Sequence, residues 1–200
     1  SALTIDTAVC DSMYFAGNNI TTSGTYYDTI LNAAGCDSVV TLNLTINTSP
    51  TVDLGIDTLL CSGTTIDLNA GSGFTYLWSD ATTNPILTAS STGEYTVTIT
   101  DGNGCTDSDT INVTLATPLV VTLDSTNITC NGLTDGTVTA TVTGGTPNYT
   151  YLWNDGQTTA TVTNLSAGTY TVSITDDNNC TTTGSFSIAE PTLLTAIAQA

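Results

Sequence analysis

The sequence predicts an all-β chain of small β-sandwich repeats in tandem, and three observations predict it. Strand-like runs alternate apolar and polar positions and are broken by turn formers about every 8–12 residues. One stretch is written twice: residues 75–105 overlay residues 150–180 without a gap, and 17 of the 31 positions are identical. The six cysteines recur one pair per repeat.

The elements follow in order. Residues 1–48 form a first, shorter repeat, in which Gly24, Tyr26 and Cys36 keep the spacing of Gly93/Tyr95/Cys105 and Gly168/Tyr170/Cys180. Val40, Leu42, Leu44 and Ile46 alternate with Thr41, Asn43 and Thr45, a half-buried strand. This repeat lacks Trp, and Phe15 is the candidate for that slot. The second repeat, 49–116, is predicted to have strands at 52–54, 65–68, 74–78, 86–88, 94–100 and 109–115. The third, 117–189, is predicted to have them at 120–123, 136–143, 148–153, 160–162, 168–175 and 185–188. Residues 190–200 read as the start of a further repeat. Pro50, Pro118 and Pro191 open the second, third and fourth repeats. Proline holds itself and its predecessor extended, and no Gly/Ser linker intervenes, so the repeats are expected to form a stiff rod.

One Trp per full repeat (Trp78, Trp153) and a Gly-x-Tyr entering the penultimate strand (Tyr95, Tyr170) resemble the immunoglobulin-type sandwich with its tyrosine corner. These four side chains are the expected core anchors. The cysteines read as structural disulfides of an oxidising compartment, since there is no C-x-x-C pair and no His for a metal site. Cys61 precedes its strand and Cys105 follows another. The expected pairs are therefore Cys10–Cys36, Cys61–Cys105 and Cys130–Cys180, one per repeat, clipping loops at one end.

Charge excludes whole classes of function. Eighteen acids face no Lys, Arg or His, a net charge of −18. Nucleic acid and anionic membrane surfaces need cations that this chain lacks. No nucleophile–base pair can be assembled, so the chain is not expected to be an enzyme. No apolar run is long enough to span a membrane as a helix. The sequence carries no initiator Met or leader, and reads as a piece of a longer secreted polypeptide.

Two kinds of site remain as candidates. Asp101, Asp107, Asp109, Asp176 and Asp177 cluster hard oxygens suited to weak calcium binding. The same Asp/Asn/Gly loops are also what a tight hairpin turn requires. Asp followed by Ser or Thr and then a small apolar residue or Thr occurs at Thr7, Ser12, Thr29, Ser38, Thr58, Thr110 and Ser125. That pattern resembles the O-glycosylation motif of Bacteroidota, and it is also ordinary strand-end chemistry.

The run TPNYTYLWNDGQTTATVTNLSAGTYTVSITDDNNCTTTGSFSIAEP (146–191) resembles the SprB-type repeat of giant gliding-motility adhesins in Bacteroidota. GFTYLWSDATTNPILTASSTGEYTVTITDGNGCTDSDTINVTL (73–115) is similar to the PKD/immunoglobulin-like repeats found beside it. TTSGTYYDTILNAAGCDSVVTLNLTIN (21–47) is similar to a repeat common in secreted Bacteroidota chains. The resemblance implies type IX secretion, display at the bacterial cell surface, and adhesion. The expected partners are neighbouring repeats of the same longer chain, with surface polysaccharide or another surface ligand and self-assembly into a fibre as further candidates. The alternative is a carbohydrate-binding accessory module of a secreted enzyme, which would expose aromatic side chains.

Overall fold

The computed structural model describes residues 2–31, 35 and 37–193, and every regular element among them is a β-strand. The expected start of a further repeat at 190–200 lies largely outside them. The chain divides into two compact units, Ser1–Thr58 with Thr65–Val113, and Leu59–Thr64 with Thr114–Ala200.

The first unit holds the first repeat: β1 (Ala2–Cys10), β2 (Met13–Phe15), β3 (Asn18–Ile20), β4 (Gly24–Leu31) and β5 (Asp37–Asn47). The alternation along β5 buries Val40, Leu42 and Leu44 on one face. β5 is the central strand of its sheet, antiparallel to β4 and parallel to β1, with Cys10 opposite Asn47. The β2–β3 hairpin brings Met13, Phe15 and Ile20 to the core around Leu42 and Leu44. Phe15 therefore joins the core from a hairpin strand. It does not replace the tryptophans, which lie on strands paired to the Tyr-bearing strand.

Most of the second repeat completes this unit. Its strands are β6 (Thr58–Leu60), β7 (Ile66–Asn69), β8 (Thr75–Trp78), β9 (Ile86–Ala89), β10 (Gly93–Thr100) and β11 (Thr106–Leu115). β7 pairs with β9, and β10 lies between β8 and β11, all antiparallel. Its buried residues include Leu68, Trp78, Ala89, Val97, Ile99, Ile111 and Val113. The strand predicted at 52–54 does not form. The Val52 and Leu54 amides donate instead to the carboxylates of Asp107 and Asp109, at 2.8 and 2.6 Å. Side-chain oxygens occupy the amides that a backbone ladder would have used.

The second unit is a two-sheet sandwich made from β12 (Val120–Thr126), β13 (Gly136–Thr143), β14 (Thr150–Trp153), β15 (Thr161–Leu165), β16 (Gly168–Thr175) and β17 (Thr181–Ile188). One sheet runs β12-β13-β15 and the other β14-β16-β17. Between them lie Ile128, Val138, Ala140, Trp153, Val162, Leu165, Val172, Ile174 and Ile188. The inward positions alternate along β13 and β16 while Thr and Ser take the outward ones, as period-two strands require. The unit also takes in the end of β6, where the Leu60 carbonyl accepts the Ala116 amide at 2.8 Å.

Candidate functional site: cysteine clasps between repeats

Each full repeat presents one cysteine on a rigid hairpin loop. Between β10 and β11, Asp101 Oδ1 accepts the amides of Asn103 and Cys105, both at 2.8 Å. The Asp101 amide donates to the Cys105 carbonyl at 2.9 Å. Between β16 and β17 the loop is built alike: Asp176 Oδ1 accepts Asn178 and Cys180 amides at 3.0 and 2.8 Å, and Oδ2 accepts Thr146 at 2.8 Å. The Thr146, Cys180 and Asn178 amides hold the Asp176 carboxyl below the usual range, against the opposing pull of desolvation. The result is a cysteine whose backbone is fixed before any bond is made. Cys105 and Cys180 are both buried.

The other cysteines stand at the opposite end of their repeats. Cys10 lies across from Asn47, the last residue of β5. Cys61 follows Leu60, which bonds Ala116 just beyond β11. Beside Cys130, Asn131 Nδ2 donates to Pro191 O and the Gly132 amide to Glu190 Oε2, just beyond β17. Within the second and third repeats, the two cysteines are thus separated by the whole last strand, roughly 25–35 Å at about 3.3 Å per residue.

That distance forbids the expected Cys61–Cys105 and Cys130–Cys180 pairs. Cys10 bonds Cys105, not Cys36, and Cys61 bonds Cys180, not Cys105. The Cα–Cα distances are 5.6 and 5.4 Å. Cys130 is not paired with Cys180; it is free and exposed. Cys36 lies outside the described residues. The disulfides therefore do not close single repeats, one apiece. Each joins a repeat to the next, at sequence separations of 95 and 119. Loops of that length stabilise by about 4–5 kcal/mol in the chain-entropy treatment.

The remaining candidates fall as follows. Trp78 and Trp153 are 2% exposed, and their indole N–H groups donate to Asn84 O and Thr159 O. Tyr95 and Tyr170 are half-buried, and their hydroxyls donate to Ser91 O and Ser166 O. Tyr26 makes the same corner with Thr22 O at 2.8 Å. Asp101, Asp107, Asp109 and Asp176 all accept backbone amides, while Asp177 is exposed. Among the described residues no group of three or more acids or cysteines is placed to hold a metal ion. Ser12, Thr29 and Thr110 are exposed, Thr7, Thr58 and Ser125 half-buried, and Ser38 is buried. Sequence reasoning missed that Asp107 and Asp109 clamp the segment leading out of the first repeat. The usable signal was their period-two spacing on one strand face.

This arrangement defines a class: tandem immunoglobulin-like sandwiches stapled through their loops. Crystallised DSCAM isoform 1.30.30, its N-terminal eight Ig domains, overlays at a TM-score of 0.54 with 14% identity, over 84% of this chain and 27% of that one. The chain thus spans about a quarter of that structure's length. Titin domains I67–I69, an E-to-A variant, overlay at 0.42 with 14% identity, covering 96% of both chains. No curated protein sequence is significantly similar to the chain. Residues 122–158 match the family model of the SprB repeat. The likeness to the first of these structures is one of fold, immunoglobulin-like, and the family match is to that one stretch of the third repeat.

Proposed function

We propose that this chain is a structural and adhesive segment of a long secreted surface protein, serving attachment or gliding by carrying load and contact along clasped repeats. The observation that carries the proposal is the pair of disulfides linking each repeat to the next, which makes the array covalently continuous through its loops as well as its backbone. The SprB repeat at 122–158 supports an adhesin-type setting. The chain supplies no cationic side chain for phosphate or for general acid–base work at neutral pH, which suits a structural module better than an enzyme. Both tryptophans are spent in cores, which speaks against an exposed aromatic platform for sugar.

Antibodies raised against the folded chain test the proposal on intact producing cells. Labelling without permeabilisation, with loss of surface attachment or gliding when the segment is deleted in frame, is the expected result. Labelling only after lysis would overturn it.

A further inference from the structure

We propose that Cys130 is the outgoing half of a third clasp, made for the Asp-x-x-x-Cys loop of a repeat that follows in the same polypeptide. The inference rests on the reading of this chain as part of a longer repeat array. It is carried by two bonds already formed, not by the thiol alone. Cys10 and Cys61 each stand at the outgoing end of a repeat, and each is bonded to a cysteine at the start of the next repeat's last strand. Cys130 holds the same place in the third repeat. Its turn repeats that of Cys61: Thr64 N donates to Cys61 O at 3.1 Å, and Leu133 N to Cys130 O at 3.2 Å. Gly63 and Gly132 take the same left-handed backbone, φ +80 and +81°.

The setting around Cys130 has the form of an empty seat. Its turn is tied to Glu190 and Pro191, and Thr129, Cys130, Asn131, Pro191, Thr192 and Leu193 line a groove in which Leu193 is 69% exposed. The occupant to which the two formed clasps commit it is a β-hairpin loop of the kind seen at 101–105 and 176–180. There a carboxylate fixes the cysteine backbone, so little ordering is left to be done on bonding. Within the third repeat Cys130 cannot reach Cys180, because β17 separates them and Cys180 is already bonded to Cys61. The chemistry is an oxidation by a small disulfide such as oxidised glutathione. The two thiols lose two protons and two electrons, one S–S bond forms, and the glutathione disulfide is reduced to two thiols.

The test extends the full chain at its C-terminus by a second copy of residues 117–200 carrying Cys130→Ser, which leaves one Cys130 in the molecule, and refolds it in a glutathione buffer. Cleavage must be at acidic residues, because the chain has no Lys or Arg. Mass spectrometry is expected to find Cys130 joined to the copied Cys180. Cys130 left as a free thiol, or joined to Cys36 or to the Cys130 of another molecule, would overturn the proposal. A second measurement needs no fusion: native alkylation of the 200-residue chain should modify Cys130, and the rate should fall at least about tenfold in the extended chain. A Cys130 protected in the unextended chain, or equally reactive in both, would also overturn it. Failure here leaves the cell-labelling result untouched, so the two ideas are separable.

Discussion

Asp176 shows how a chain with 18 acids and no basic side chain settles its charge. Its two oxygens take three backbone amides, and amides do for it what Lys or Arg does elsewhere. Asp11, Asp80 and Asp135 are likewise held below the ordinary value near 3.8, by Ser49, Thr82 and Thr129. A carboxyl with a lowered folded-state pKa stabilises fully above its unfolded pKa, and that stability is lost as pH falls through the lowered value. Thermal melts should therefore hold down to about pH 4 and decline below it. Asp176→Asn should melt lower at pH 7 and lose part of the acid decline; parallel curves for the two proteins would contradict this account. Trp153→Ala removes the largest side chain of the second core and should cost about 3–5 kcal/mol in chemical denaturation. Tyr170→Phe, which removes only the hydroxyl bonded to Ser166, should cost about 1 kcal/mol.

At the scale of the element, the third repeat depends on a tight crossing where β13 ends. Gly144 has φ +73°, and a Cβ there would stand 1.9 Å from the Pro118 carbonyl oxygen. No rotamer relieves a clash between Cβ and backbone, so the segment entering β12 or the turn itself must shift. Gly156, with φ +87°, has open space around it. Gly156→Ala should thus cost about 1 kcal/mol from backbone conformation alone. Gly144→Ala should cost several times more, read as the ratio of unfolding free energies of the two variants. Similar losses would mean that the crossing is not rigid.

At the scale of the whole chain, stability comes from burial, strand pairing and two long-range disulfides, with no side-chain ion pair available. Reduction should lower the melting temperature of both units, since each contains one clasp. Like charges repel everywhere, so added NaCl should raise the melting temperature by screening, the reverse of a chain held by surface ion pairs. Calcium at matched ionic strength should give the same rise while the carboxylates keep their amides. A larger, saturable rise with calcium would instead reveal a site among Asp101, Asp107, Asp109, Asp176 and Asp177.

The all-β class, most strand positions and the buried tryptophans were legible in the chain, because each is written locally: period two, turn residues, and a 31-residue stretch copied once. The strand at 52–54 was misread because its alternation is real but its amides are taken by Asp107 and Asp109, 55 residues away. In the second and third repeats two kinds of cysteine are also visible, Cys61 and Cys130 in Cys-x-Gly turns and Cys105 and Cys180 in Asp-x-x-x-Cys loops. Which bonds which is not, since the sequence counts residues and a disulfide measures distance. Only the tertiary structure placed the two cysteines of the second and third repeats at opposite ends of the last strand. That geometry turns a set of closed single-repeat staples into clasps from each repeat to the next.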